Sequence, residues 1–591
     1  MRLPQPDRAD GYVDLRSYGA IGDGRTVALV ALDGSIDWYP TPDLDSTPAF
    51  ARLLDAKNGG QIELRPVADF TVERAYVDGT NVLATTFTTE TGSVQVTDSL
   101  NTGVAGRLPW GELARRIEGL DGEVPMRWAV TPGSSFNTAS PWVQHSVHGP
   151  VLQVQGTTMA VRGRDIGEEQ ASDRDISGTF TTGAGSRHLL AVISTHEEPL
   201  PLPELDTIDD GVDRTIANWQ DWSREFQYDG PWADAVERSA LALKLLLHSP
   251  TGAIAAAATT SLPENVNGGK NWDYRFAWVR DTAYTLNAMI RFGLREEVHA
   301  AVSGMLKSVR EQGSDLKVFT RLNGSRADGA EILDLPGWRG IGPVVNGNDA
   351  AKQLQMGVFG DLFNIVQMYV DAGHVLDTGT GRYLADLADL ACDVWQRKDS
   401  GMWELDEERH YTTSKLGAWH ALSCASHLAD LGQIPGTPER WRAEQERIRD
   451  WVNSNCWERG AYVWYPGTDK LDASILLHAI SGFDRGERMN STLDALRSEL
   501  GRGPLLYRFS GAEKEEGTFV ACAFWMAAAL DCVGRRDEAA AMMDELVPLA
   551  NDVGLYTEMI AEQDSAFLGN FPQGLSHLAL ITAALTLGED R

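Results

Sequence analysis

The chain has 591 residues, 43% hydrophobic and 23% charged, an ordinary globular composition that excludes disorder and collagen and allows a sizeable core. Its 84 acidic residues outnumber 52 Lys and Arg, and a net charge of −32 repels phosphate backbones and argues against a nucleic-acid partner. No apolar run approaches the roughly 18 residues that span a bilayer, and the start MRLPQPDRADGYVDLRSYG has no apolar signal core. The five cysteines, Cys392, Cys424, Cys456, Cys522 and Cys532, form no CxxC pair, which argues against a disulfide framework or a zinc site. A cytoplasmic protein with no membrane partner is expected.

Up to about residue 225 the pattern is short, alternating and punctuated by turn residues. Thr26 to Ala31 and Ser35 to Tyr39 flank Asp33-Gly34, and Asn81 to Thr89 and Val94 to Asp98 flank Thr91-Gly92. Val151 to Gln155 and His188 to Ser194 read the same way, and the spacing predicts an all-β sandwich over residues 1–225. Residues 200 to 230, opening on the proline-rich PLPLPEL, read as a linker. From there the period becomes helical over residues 226–591. Helices are predicted at Trp232–His248, Trp278–Phe292, Arg295–Glu311, Asp349–Asp371, Arg382–Lys398, Thr412–Leu431, Pro438–Cys456, Ala473–Ile480, Glu487–Leu500, Thr518–Val533, Asp537–Ala550 and Leu575–Leu587. Such a run suits an array of helical hairpins, and periodicity leaves undecided whether the array is open or closed into a toroid.

The chain has no Walker loop, no Rossmann glycine fingerprint, no HExxH and no GxSxG elbow. Carboxylates remain, and most of them are solvated surface groups. An acid set among aromatics and glycines is different, because burial beside apolar rings raises its pKa and makes it a usable proton donor. Three places meet that condition. Asn271 to Asp281, NWDYRFAWVRD, packs Trp272, Tyr274, Phe276 and Trp278 around Asp273, Arg275, Arg280 and Asp281. Aromatic faces stack on sugar C–H surfaces and Asp/Arg pairs bind hydroxyls, although a structural salt bridge in a core would look alike. In Ser400 to Lys415, Glu404 follows Trp403 in a Gly-containing loop, while Asp406, Glu407 and Glu408 read as a solvated turn. In Gly554 to His577, Glu558 lies near Glu562 and Asp564, ahead of the loop Gly569-Asn570-Phe571-Pro572-Gln573. Two carboxylates in separate inter-helix loops meet only in a closed architecture, where they suit glycoside hydrolysis.

At these residues the chain resembles glycoside hydrolase family 15, the glucoamylase and bacterial trehalase family, in its branch with an N-terminal trehalase-like β-domain. The resemblance rests on IGDGRTVALVALDGSIDWYPTPDLDSTPAFARLLD, TTSLPENVNGGKNWDYRFAWVRD, GWRGIGPVVNGNDAAKQLQMGVFGD, LDAS, EEGTFVACAFW and LGNFPQGLSH. It implies a β-sandwich followed by an (α/α)6 barrel. It also implies an inverting, exo-acting hydrolase that releases glucose from α-glucosides. Two carboxylates and one water suffice for that chemistry and no His/Cys/Asp cluster has metal-ligand spacing, so no metal or other cofactor is expected. By the same resemblance the general acid falls on Glu404 and the general base on Glu558. Arg280 and Asp281 hold hydroxyls of the terminal glucose, with Trp272, Asp273, Trp338, Arg339 and Trp403 as further substrate-binding candidates. The chain departs from the bacterial pattern in three places. It reads WELD where WEVR is common, TEMIA where SEEYD is common, and Phe276-Ala277 where Tyr-Cys is usual. A carbohydrate is the expected partner, trehalose competes with α-linked glucans, and a homo-oligomer stays open. Two competing readings are an inverting disaccharide phosphorylase on the same two-domain plan and a non-catalytic carbohydrate-binding protein. The second acid, Glu558, argues against the first, since it would repel phosphate, and both acids together argue against the second.

Overall fold

The structure, a computed structural model, describes residues 2–312, 318–327 and 329–588. Its N-terminal region is sheet-rich and its C-terminal region helical. Period-2 burial explains the strands: in Thr71–Tyr76, Val72 and Arg74 point inward while Thr71, Glu73 and Ala75 face out. One strand of 22 residues, Gly111–Pro132, organises the region. Its residues 111–118 pair with Arg187–His196, and its residues 113–122 with Gly92–Leu100. Residues 123–132 pair instead with Ile176–Gly183 and Gly60–Pro66. The register shift between Gly119 and Asp121 lets one strand turn from the first set of partners to the second.

The segment read as a linker is mostly helix. After the prolines, Leu205–Glu225 forms α1. Leu205, Ile208, Val212 and Ile216 make a stripe at helical spacing that covers Ala114, Leu189, Ala191 and Ile193 of the sheet. Arg116 fixes the docking, donating to Asp213 at 2.7 and 2.9 Å and to Asp209 at 2.7 Å. The proline-rich start masks an amphipathic pattern that begins just behind it.

Twelve further helices follow among the described residues: α2 Ala233–Leu246, α3 Val279–Arg291, α4 Arg295–Gln312, α5 Gly357–Asp371, α6 Thr378–Val394, α7 Thr412–Asp430, α8 Pro438–Asn455, α9 Leu476–Ile480, α10 Glu487–Leu500, α11 Val520–Cys532, α12 Arg536–Leu546 and α13 Gly574–Gly588. The prediction at Asp349–Asp371 breaks into a 3-10 turn and α5. Ala473–Ile480 shortens to a turn capped by Asp472 and the single turn and a half of α9. Side-chain character sorts the helices by position. All 13 residues of α11 are buried, so it has no polar face. On α8 only Trp441, Glu444, Ile448 and Val452 are buried, the stripe of a helix with one side in water. Accordingly α3 packs on α5, α5 on α7, α9 on α11, α11 on α13 and α13 on α3, with the turn Ala473–Ile475 joining α7 to α9. Helices α4, α6, α8, α10 and α12 pack against members of that series.

The sheet region is tied to the segments that precede these inner helices. Trp38 Nε1 donates to the Ala258 carbonyl at 2.9 Å, Arg275 Nη1 to the Ser46 carbonyl at 2.8 Å, and Arg74 pairs with Asp552 at 2.7 Å. The five cysteines are buried and none is in a disulfide. Among the described residues no helix is long and apolar enough to cross a membrane.

Candidate active site

Glu404 lies in the loop before α7, Glu558 in the loop before α13, and Arg280 and Asp281 in the first turn of α3. All four line one small cavity, together with Tyr274, Trp278, Trp403 and Arg508. The reason is topological: each group sits just before, or at the start of, an inner helix, so loops distant in sequence share one end of the helical series.

Glu404 has φ +60, a left-handed backbone that costs a side-chain-bearing residue energy and turns its carboxyl inward. Its Oε1 accepts a hydrogen bond from Trp278 Nε1 at 2.8 Å, and its carbonyl accepts one from Gln353 Nε2 at 3.0 Å. Trp278 is itself held, stacked on Phe319 at 4.5 Å and edge-on to Tyr274 at 5.4 Å. Burial pushes the Glu404 carboxyl above its ordinary value, while the Arg280 charge and the indole N–H oppose that rise. Beside it, Trp403 Nε1 donates to Asp472 Oδ1 at 2.7 Å and its ring meets Phe519 edge-on at 5.6 Å. Burial pushes Asp472 up to about 6.

Glu558 is 1% exposed. Its Oε2 accepts from the Asn570 amide at 3.0 Å. Gly569 stands against the same oxygen at φ +72, with no room for a Cβ, so glycine is required by both space and backbone. Asn570 is clamped in turn: Thr259 Oγ1 donates to its Oδ1 at 2.9 Å, and its Nδ2 donates to the Trp272 carbonyl at 2.9 Å. Burial raises the Glu558 carboxyl well above the ordinary range, Glu264 adds to the rise, and Arg508 and the Asn570 amide oppose it.

Arg508 links these groups. It donates to Glu516 Oε1 through Nε at 2.7 Å and to Glu264 Oε2 through Nη2 at 2.9 Å. Lys270 reaches Glu516 from the other side at 2.9 Å. Across the cavity Arg280 donates to the Met402 carbonyl at 2.9 Å and pairs with Asp281 at 3.3 Å. Arg280 Nε makes no hydrogen bond among the described residues and Asp281 Oδ2 has the 3.3 Å ion pair without a well-formed hydrogen bond, which leaves hydrogen-bonding capacity for ligand hydroxyls. Behind Arg280 a cavity of about 340 Å³ runs between the inner helices, where burial pushes Asp361 up to about 7.

Of the sequence candidates, the fold brings Glu404, Glu558, Arg280, Asp281 and Trp403 to this cavity. The others lie elsewhere. Asp273 is fully buried and holds Arg275 by two bonds of 2.9 and 2.7 Å. Trp272 is 37% exposed and meets the site only through its carbonyl. Trp338 is buried with Nε1 donating to the Val13 carbonyl at 3.1 Å, and Arg339 lies exposed over its ring. Glu562 binds Tyr507 and Arg502, and Asp564 accepts from the Ala566 amide. Arg508, Glu264, Glu516 and Asp472 were not singled out from the sequence. Arg508 carries a usable signal, a charge between aromatics in Tyr507-Arg508-Phe509.

Comparison with known proteins places this arrangement. The model of Glycosyl hydrolases family 15 matches residues 230–585, and that of Trehalase-like, N-terminal matches residues 13–174. The chain is 30% identical to a trehalase of Thermoplasma volcanium, over 98% of this chain and 94% of that one. It is likewise 30% identical to a trehalase of Mycolicibacterium smegmatis, over 99% of this chain and 92% of the other. A bacterial glucoamylase solved with acarbose superposes over 99% of this chain and 95% of its own, with a TM-score of 0.70 at 12% identity, a likeness of fold. The chain belongs to glycosyl hydrolases family 15 and is a glycoside hydrolase that releases glucose.

Proposed function

We propose that this protein hydrolyses trehalose, as an inverting enzyme with Glu404 as general acid and Glu558 as general base. The observation that carries this reading is that the two buried carboxylates arrive from separate loops at one cavity, beside an Arg–Asp pair with free hydrogen-bonding capacity. Glu404, with its raised pKa, protonates the glycosidic oxygen as the bond to the anomeric carbon breaks. Glu558 takes a proton from the water that attacks the opposite face. Arg280 and Asp281 grip hydroxyls of the terminal glucose, and Trp278 and Trp403 present ring faces to it. The closed series of inner helices supports an (α/α)6 barrel over residues 226–591, with residues 1–225 as a β-sandwich domain. Trehalose is favoured over α-linked glucans because relatives that match nearly end to end are trehalases.

The test is glucose release from trehalose, maltose, isomaltose, nigerose and dextran, with proton NMR of the anomeric region in the first minutes. Trehalose cleaved fastest, with β-glucose from the attacked ring appearing ahead of mutarotation, is the expected result. Cleavage that requires phosphate and yields a sugar phosphate overturns hydrolysis. Only α-glucose at early times overturns inversion, because it signals a covalent glycosyl-enzyme.

A further inference from the structure

We propose that Glu264 is a positioning residue for the base: its carboxylate, held against Arg508, faces Glu558 and makes it a stronger base. This rests on Glu558 being the base.

The geometry begins with the backbone. The Gly569 amide donates to the Pro263 carbonyl at 2.8 Å, so the residue packed against the Glu558 carboxylate is bonded to the residue preceding Glu264. The Gly517 amide donates to the Glu264 carbonyl at 2.9 Å, and the Glu264 amide to the Lys270 carbonyl at 3.0 Å. Three loops are thereby tied at Glu264, which is 1% exposed, like Glu558. Its side chain has no freedom either. Oε2 accepts from Arg508 Nη2 at 2.9 Å, and the Tyr274 hydroxyl stands 3.5 Å from Oε1.

The groups facing Glu558 are Glu264 and Glu516 as acids, Arg508 as the cation and Tyr274 as a neutral phenol. Lys270 stands behind Glu516. Three buried carboxylates therefore share two cations, and like charges at short range resist ionising together. Glu516 has the closest cationic company, Arg508 and Lys270, and its carboxyl is held below its ordinary value. Glu264 and Glu558 then compete for what remains of the Arg508 charge. Burial pushes Glu264 up to about 7, with Arg508 in direct contact opposing the rise, whereas burial pushes Glu558 well above its ordinary range, so of the two Glu558 takes the shared proton more readily. A base with a higher pKa pulls harder on water, provided it is still free at the working pH.

The sign of the effect follows. Glu264 contributes a negative charge that raises the Glu558 pKa, and the acidic limb of kcat/KM reports the base of the free enzyme. Removing the charge lets Glu558 ionise at lower pH. The experiment compares kcat/KM between pH 3 and 9 for wild type, E264Q and E264D on the best natural substrate. Expected is an acidic limb in E264Q that falls by about one pH unit or more, and one in E264D that stays near wild type. An unmoved limb in E264Q overturns the proposal, and so does an equal shift in both variants, which points to shape rather than charge. If E264Q does not fold, E264A takes its place with the same expectation, a lower acidic limb than wild type, and an unmoved limb overturns the proposal. E558A, measured alongside with azide, keeps the readings apart. Full activity in E558A removes the base assignment whatever E264Q does.

Discussion

Trp278 donates its indole N–H to Glu404 across 2.8 Å, and this bond joins the segment of Arg280 and Asp281 to the loop that carries the proposed acid. Donation to the carboxylate favours its ionised form, so Trp278 restrains a pKa that burial drives upward. W278F removes the donor and nearly keeps the packing. The Glu404 pKa then rises, and the alkaline limb of kcat/KM, where the acid loses its proton, moves to higher pH by about one unit. E404Q is more severe, with turnover on a natural disaccharide falling by roughly two to four orders of magnitude. An α-glucosyl fluoride, whose leaving group needs no proton, recovers much of that loss. A pH profile for W278F that superposes on wild type would show that the bond plays no part in tuning the acid.

The Arg280–Asp281 pair is open to a second interpretation, a structural salt bridge, and the isosteric change D281N separates the two. The pair spans 3.3 Å, and the Asp281 Oδ2 that makes it has no well-formed hydrogen bond among the described residues, which is poor geometry for a purely structural pair. If that oxygen accepts a sugar hydroxyl, its change to an amide costs about 1.5–3 kcal/mol, or roughly 10- to 100-fold in kcat/KM. Thermal unfolding should move little. A large fall in the melting midpoint with modest kinetic change would return the pair to a structural role.

In TEMIA the second acid of SEEYD is missing, and Glu562 and Asp564 are nearby acids that could stand in for it. Their surroundings argue otherwise. Glu562 is tied to the Tyr507 hydroxyl at 2.9 Å and to Arg502 at 3.3 Å, and Asp564 caps a turn at Ala566. E562A and D564A should keep kcat/KM within about threefold of wild type, as surface changes generally do. E558A should lose about two to four orders of magnitude and be rescued by azide as a β-glycosyl azide. Loss in E562A equal to that in E558A would mean that Glu562 reaches the site in the working enzyme.

Much of this was legible in the sequence, for identifiable reasons. Helices with a clear polar face, such as α8, announce themselves by period, and Glu404 stood out as an acid next to Trp403. Helix α1 was hidden because prolines precede it. Trp338 and Arg339 looked like pocket residues because an aromatic beside a cation suits a sugar. Only the fold reveals that the indole N–H is spent on Val13. Glu264 is invisible for a deeper reason, and so is its pairing with Arg508. That pairing depends on which loops the helical series brings together, and no local pattern carries that.

The sheet region reaches Glu558, the proposed base, through a short chain of bonds, and an effect of that region on turnover is therefore expected. Trp38, fully buried, donates to the Ala258 carbonyl at 2.9 Å. The next residue, Thr259, donates to Asn570 Oδ1 at 2.9 Å and accepts from the Phe571 amide at 2.9 Å. Asn570 in turn gives its amide to Glu558 at 3.0 Å. W38F keeps most of the ring's packing and leaves the Ala258 carbonyl buried without its donor, at a cost of about 1–3 kcal/mol. Part of that cost should appear as lost stability, seen as a lower melting midpoint. The rest should appear as a several-fold fall in kcat with KM nearly unchanged, because the displaced group is the base loop rather than the sugar-binding pair. Deleting residues 1–225 should be far worse. It strips Arg275 of the Ser46 carbonyl, Trp338 of the Val13 carbonyl and Asp552 of Arg74, and uncovers Trp38's contact surface at the same time. The truncated chain is expected to aggregate or to show no hydrolysis at concentrations where the full chain is active. A soluble fragment of residues 226–591 with wild-type kcat would break this chain of reasoning at its first link.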